Sequence, residues 1–190
     1  PAYFALVMAT GIVALATHLH RVPVVPKVLF WLNCIFLVGL VSATGARILR
    51  YPREFAADLR SHSRSVGFFT VVAGFGVFGD QLVLQMQAVA PAALLWAITG
   101  VLWPVVIYGV LATLTVTADK PGMAVGLNGG WLVSVVATQS VAILTVLLLS
   151  SGVLTGLRQP LLFAALVLWL GSGTLYLWLI TLIFYRYTFL

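Results

Sequence analysis

Six long apolar stretches, separated by short clusters of charge, proline and glycine, constrain this sequence more than any other feature. They cover about residues 2–18, 28–46, 66–87, 91–116, 131–149 and 160–185. A helix needs roughly 20 apolar residues to cross about 30 Å of hydrocarbon, and these stretches approach or exceed that length. An open sheet cannot span a bilayer, because its edge backbone groups would lack hydrogen-bond partners. The pattern therefore predicts an all-α integral membrane protein with six transmembrane helices arranged in hairpins.

The composition agrees with a membrane environment. Hydrophobic residues make up 62% of the 190 positions and charged residues only 7%, and the mean hydropathy is +1.13. Soluble domains carry about 25% charged residues, so this chain has too few to cover its surface in water. We therefore expect the lipid bilayer as its main partner and a multi-pass location in the plasma membrane.

The basic residues are distributed unequally between the two ends of the predicted helices. One end carries seven of them: Arg47, Arg50, Arg53, Arg60, Arg64, Lys120 and Arg186. The other end carries only Arg21, Lys27 and Arg158. Because basic loops stay in the cytoplasm, both ends of the chain are expected to be cytoplasmic. This distribution accounts for the net charge of +6 without nucleic acid, which we do not expect as a partner.

The longest basic connection contains a candidate interfacial helix. Pro52 suits a first helical position. Phe55 and Leu59, four residues apart, would share one helix face, which we expect to turn toward the membrane. The connection would then be a solvated link in contact with anionic lipid, and docking of a partner is the alternative.

The sequence contains no recognisable catalytic or metal-binding pattern. Its four acids are Glu54, Asp58, Asp80 and Asp119, which leave no paired carboxylates inside the bilayer. There is no His-Glu-x-x-His stretch, and Cys34 is the single cysteine. Ser172 between two glycines is more typical of helix packing than of an intramembrane protease. We expect neither enzyme activity nor a cofactor.

Small and polar residues concentrate on alternate helices. The first stretch has Thr10-Gly11, the third has Gly74, Gly76 and Gly79 before Asp80-Gln81, and the fifth has Asn128-Gly129-Gly130 and Thr138-Gln139-Ser140. Polar groups in lipid are costly unless they face a partner or water. The alternation predicts an inner ring of odd-numbered helices and an outer ring of even-numbered ones. Close helix packing at glycine and threonine is an equal alternative.

Three stretches resemble the tellurite-resistance/dicarboxylate transporter family, which includes malate permeases and slow-type anion channels. They are residues 1–13 (PAYFALVMATGIV), 68–74 (FFTVVAG), and 126–132 (GLNGGWL) continuing through 136–140 (VATQS). Each lies at the start or middle of an odd-numbered helix.

The resemblance implies a ten-helix bundle in five hairpins, with the odd helices around a central pore. It also implies transport of anions, either C4-dicarboxylates such as malate or small inorganic anions such as chloride, nitrate or sulphite. A homotrimer is implied as well. With six helices in 190 residues, we expect the chain to be the first part of such a bundle, truncated at its C-terminal end.

Uncharged polar and small residues of the odd helices are our candidates for the pore lining, because they can offer weak hydrogen bonds to an anion. The candidates are Thr10, Gly11, Phe69, Gly76, Asn128, Thr138 and Gln139. Helix packing is the competing interpretation for each. We expect Asp80 to lie at the non-cytoplasmic mouth, in a structural hydrogen-bonding role. The alternative function is a non-transporting membrane scaffold or assembly subunit.

Overall fold

The computed structural model describes residues 2–118 and 120–189, which contain helices and turns but no strand. Six helices in these ranges are long and apolar enough to cross a membrane, which confirms the predicted all-α membrane architecture. These spans, numbered first to sixth, are Ala2–Leu19, Val25–Arg50, Val66–Leu84, Val89–Val116, Gly129–Ser150 and Thr155–Phe189. Pro1 and Asp119, which took part in the sequence predictions, lie outside the described residues, as does Leu190.

The spans form three antiparallel hairpins. Short turns at residues 20–24, 85–88 and 151–154 join the first span to the second, the third to the fourth and the fifth to the sixth. The longer connections at the opposite, basic end carry the short helices Pro52–Arg60, His62–Ser65 and Met123–Gly126. Because each hairpin reverses the chain once, the first, third and fifth spans run in the same direction.

The third and fifth spans form the interior of the bundle. In the most apolar window of each span, 83% of residues are buried in the third and 61% in the fifth, against 11% in the fourth and in the sixth. The third span contacts the first, fourth and fifth, and the fifth span contacts the third, fourth and sixth. The first span packs on the third and the second with part of its surface. The even-numbered spans are therefore mostly exposed, as predicted, but the first span, which was predicted to be an inner helix, has only 22% of its window buried.

Glycines on the third span allow it to approach the fifth closely. A Cβ atom at Gly76 would lie 2.6 Å from the Cβ of Ser140, and one at Gly79 would lie 2.5 Å from a methyl carbon of Leu144. Real Cβ contacts are not that short, so these positions have no space for a side chain. Small residues at such contacts let helix backbones pack together in lipid, where no hydrophobic force drives helix association.

Two tryptophan–threonine hydrogen bonds attach the fourth span to the fifth. The Nε1–H of Trp96 donates to the Oγ1 of Thr145, and that of Trp103 donates to the Oγ1 of Thr138, both at 2.8 Å. Trp96 and Trp103 are seven positions apart on the fourth span, and Thr138 and Thr145 are seven positions apart on the fifth. Seven residues are close to two full turns of a helix. The two bonds therefore lie one above the other and fix the register of the fourth span on the fifth.

Side-chain amides link the first three spans. Asn33 of the second span donates from Nδ2 to the Oε1 of Gln81 at 2.6 Å. Gln81 donates to the Oε1 of Gln85 at 3.3 Å, and Gln85 donates to the carbonyl oxygen of Ala14 on the first span at 2.9 Å. Polar groups within a membrane are stable in such mutual pairs, although the Oδ1 of Asn33 has no partner among the described residues.

The helix Pro52–Arg60 forms as predicted, with proline in its first turn, but its apolar face turns toward the bundle rather than toward the membrane. The ring of Phe55 packs edge-on against that of Phe68, with centroids 5.2 Å apart. Leu59 packs against the buried cluster around Phe69. Phe68 is itself buried at the start of the third span, so the bundle offers this helix a protein surface to cover.

The substitution Gly76→Ala tests the close approach of the third and fifth spans. We expect it to lower the free energy of unfolding by about 1–3 kcal/mol, because the new methyl group would overlap Ser140 and push the helices apart. Thermal unfolding of the detergent-purified protein measures this loss. The matched control is Gly100→Ala on the fourth span, where a Cβ meets nothing within 4 Å. Equal melting temperatures for the two variants would contradict this account of the packing.

Candidate functional site

A groove, which we call the central groove, lies among the first, third, fifth and sixth spans and has a volume of about 610 Å³. Its lining comes from one face of each span. The first span contributes Ile12, Leu15, Ala16 and Leu19, and the third contributes Val77, Asp80 and Leu84. The fifth contributes Val135, Val136, Gln139, Ser140, Ile143 and Leu147, and the sixth contributes Gly173 and Tyr176.

The walls of the central groove are mostly apolar. Four polar side chains interrupt them: Asp80, Gln139, Ser140 and Tyr176. The hydroxyl of Ser140 donates to the carbonyl oxygen of Ala137 at 2.8 Å. The half-buried amide of Gln139 and the hydroxyl of Tyr176 carry hydrogen-bond donors that can reach a solute in the groove. Such a lining offers weak sites from which a bound ion can leave again.

A second cavity, which we call the basic vestibule, lies at the opposite end of the same three odd spans. Its volume is about 510 Å³. It is lined by Ala2, Tyr3, Ala5, Arg47, Asp58, Arg64, Val66, Gly67, Thr70, Gly130 and Val133. The fifth span begins at Gly129 after the extended residue Asn128, so one helix N-terminus lies at this cavity, whereas the third span continues directly from the helix His62–Ser65. Helix N-termini carry partial positive charge and unpaired N–H groups, which favour anions.

Asp58 holds the two arginines of the basic vestibule in place. Its side chain is almost fully buried, and its two carboxylate oxygens accept separate hydrogen bonds, one from Arg47 at 2.5 Å and one from Arg64 at 2.9 Å. Arg47 lies in the last turn of the second span and Arg64 precedes the third span, so this carboxylate connects both to the helix Pro52–Arg60. The side chains of the arginines are 45% and 70% exposed. Two positive charges against one negative charge leave this cluster with net positive charge.

The arginines keep Asp58 ionised. The hydrogen bond from Arg64 is the main cause that holds the pKa of Asp58 below its usual range; burial opposes it, and the charge of Arg47 adds to it. A carboxylate whose pKa is lowered by folding stabilises the folded state above the pKa of the unfolded chain. That stabilisation is lost as the pH falls through the lowered value. The cluster is therefore intact at neutral pH.

The family model for voltage-dependent anion channels matches residues 1–190, the whole chain. The chain belongs to the voltage-dependent anion channel family. No curated protein and no solved structure matches it. The family consists of anion channels and transporters rather than enzymes, so membership indicates anion transport across a membrane. This match confirms the family resemblance that was found in the three sequence stretches.

The seven pore-lining candidates occupy several different places in this anion-channel family member. Gln139 lines the central groove, and Thr10 is half-buried on the first span. Gly11 and Gly76 lie at helix contacts, where added Cβ atoms would meet Val77 and Ser140. Phe69 is buried in the cluster of the third, fourth and fifth spans. Thr138 accepts the hydrogen bond from Trp103. Asn128 caps the start of the fifth span by accepting from the N–H of Gly130 at 2.9 Å.

Several groove residues were absent from the candidates. Ile12, Ala16 and Val77 are apolar, and nothing in a uniformly apolar helix distinguishes a groove face from a lipid face. The sixth span was expected to be outer, yet it contributes Gly173 and Tyr176 to the groove. Asp80 also differs from expectation, since it is 4% exposed and its Oδ1 has no hydrogen-bond partner within the described ranges. A charged residue in a membrane span was the signal that could have identified it.

The substitution Asp58→Asn tests the carboxylate that joins the two arginines. We expect a loss of about 2 kcal/mol in the free energy of unfolding, because charge-assisted hydrogen bonds are replaced by weaker neutral ones. At neutral pH, limited proteolysis should cut the connection at residues 51–65 faster in Asp58→Asn than in the wild-type protein. In the wild-type protein, the same acceleration should appear only in acid, as Asp58 becomes protonated. Glu54→Gln, an exposed acid on the same helix, is the matched control, and an equal effect in both variants would contradict the account.

Proposed function

We propose that this chain conducts anions along a path that enters at the basic vestibule and continues through the central groove. The observation that carries the proposal is the alignment of the two cavities. Ala5 and Ile12 on the first span are seven residues apart, as are Thr70 and Val77 on the third, with the earlier residue in the vestibule and the later one in the groove. Seven residues are close to two helical turns, so each pair shares one helix face.

Electrostatics supports the entry of an anion at the vestibule. The net positive arginine cluster attracts negative charge there, and the helix N-terminus at Gly129 adds to that attraction. Beyond the vestibule, the ion moves along the aligned helix faces and passes Gln139. The amide of Gln139 can donate hydrogen bonds to the ion but carries no positive charge. An ion that is attracted at the mouth and held weakly inside can pass through quickly.

The apolar walls favour small, weakly hydrated monovalent anions such as nitrate or chloride. The groove replaces little of the water that surrounds an ion, so the cost of dehydration determines which ions enter. A C4-dicarboxylate such as malate carries two charges and loses more hydration. It is therefore the second candidate substrate class.

The distribution of basic residues supports the orientation. Arg186 at the end of the sixth span donates a hydrogen bond to the carbonyl oxygen of Leu127 before the fifth span. This contact brings the sixth span to the same end as the vestibule arginines. By the positive-inside rule, we propose that this end, with the vestibule, faces the cytoplasm of a plasma-membrane protein.

A tryptophan placed in the central groove tests the path. The protein is reconstituted into liposomes, and efflux of chloride and nitrate is measured. We expect Ala16→Trp, which places a large ring in the groove, to reduce efflux by about tenfold or more because the path is narrowed. The matched control is Ala97→Trp on the exposed surface of the fourth span, which should leave efflux unchanged.

The same experiment separates the proposal from the scaffold alternative. A scaffold predicts no efflux above that of protein-free liposomes in the wild-type protein. Efflux that is equal in the wild type and in Ala16→Trp would place the path elsewhere and contradict the proposed route.

A further inference from the structure

Asp80 is a buried acid that the packing of the bundle leaves without a partner. Its side chain is 4% exposed, and its Oδ1 is buried and receives no hydrogen bond from the part of the chain that the structure describes. The residue nevertheless lines the central groove. It lies beside Gln81, whose amide oxygen accepts from Asn33 and whose amide nitrogen donates to Gln85. The adjacent polar residue is thus paired, whereas Asp80 is left to the groove.

Among the described residues, those that line the groove with Asp80 carry no positive charge, and Tyr176 of the sixth span is the one other titratable residue of that lining. The fifth span contains no titratable residue. The other titratable groups on the spans packed against the third span do not line the groove. They are Tyr3 and His18 on the first span, Lys27, Cys34, Arg47 and Arg50 on the second, and Tyr108 on the fourth.

An unpaired carboxylate in such a place is costly, because the groove walls cannot replace its hydration. A proton removes the cost. When a proton from water bonds to one carboxylate oxygen, the product is a neutral carboxylic acid with one O–H donor. The reverse step returns the proton to water, and no other bond changes.

We propose that Asp80 is a proton-binding site in the anion path and that its protonated form is the conducting form. This inference rests on the proposed function. In the protonated form, the O–H of Asp80 donates a hydrogen bond to an anion in the groove. In the ionised form, the negative charge repels the anion from the narrow apolar passage. Anion passage therefore depends on the proton concentration of the water that reaches the groove.

A metal cation fits this place less well than a proton. Hard cations such as Ca²⁺ and Mg²⁺ take six or more oxygen ligands. The groove offers the carboxylate of Asp80, the amide of Gln139 and the hydroxyl of Ser140, while its other lining residues are apolar apart from Tyr176. No group of three His, Cys, Asp or Glu side chains suited to a metal occurs among the described residues. One carboxyl group suffices for a proton.

The pH dependence of chloride efflux from liposomes tests the proposal, with the pH equal on both sides. We expect wild-type efflux to fall by about tenfold or more from the acidic to the alkaline plateau, which corresponds to one added charge in the path. Asp80→Asn should conduct at the acidic level at every pH, because its amide keeps the shape and a donor but cannot ionise. Glu54→Gln, far from the groove, should retain the wild-type profile.

Two further measurements keep the proposal falsifiable if Asp80→Asn misfolds or if no efflux occurs. Asp80→Glu should retain a pH-dependent efflux with a shifted midpoint. Infrared difference spectra should show the carbonyl stretch of a protonated carboxylic acid that disappears at alkaline pH and is altered in Asp80→Glu.

The outcomes separate the two proposals. Identical pH profiles for the wild type and Asp80→Asn would overturn the proton site and leave anion conduction standing. Absence of efflux at every pH would overturn anion conduction, and the infrared band alone would then decide whether Asp80 binds a proton. Absence of that band at every pH would overturn the proton site.

Discussion

The close contact of the third span with the fifth is the constraint on which the rest of the bundle depends. Lipid tails are as apolar as the side chains of the helices, so burial of apolar surface does not drive helix association in a bilayer. Helix association rests instead on close packing and on polar contacts. Gly76 and Gly79 have no side chains, so the backbones of the two helices can come close together at these positions. This contact places the third span at the centre of the bundle, and the first and fourth spans pack around it.

The polar residues of the bundle have three distinct uses. Many serine and threonine hydroxyls donate to a carbonyl oxygen of their own helix, as those of Thr99 and Thr115 do. A few side chains join helices, as Trp103 does with Thr138 and Asn33 does with Gln81, and these pairs fix the register of one helix on the next. A few, with Asp80 and Gln139 foremost, remain directed at the groove once the helix contacts are made. Polarity in a span therefore does not by itself distinguish a residue that faces the groove from one that joins helices.

The sequence predicts the fold more fully than the site. Apolar length determines the six spans, and the spacing of Gly74, Gly76 and Gly79 correctly indicates an inner third span. The groove face could not be predicted, because residues such as Ile12 and Ala16 have the same character as lipid-facing ones. Thr138 illustrates the same limit, since its partner Trp103 lies 35 positions away and on another helix. Such pairings arise only from the three-dimensional arrangement of the spans.

The central claim is that the odd spans form a path selective for anions. The most direct test is the zero-current potential of the purified protein in a planar lipid bilayer that separates two concentrations of potassium chloride. The account predicts a potential near the equilibrium potential of chloride, because the vestibule excludes cations. A potential near that of potassium, or no current above the bare bilayer, would contradict it.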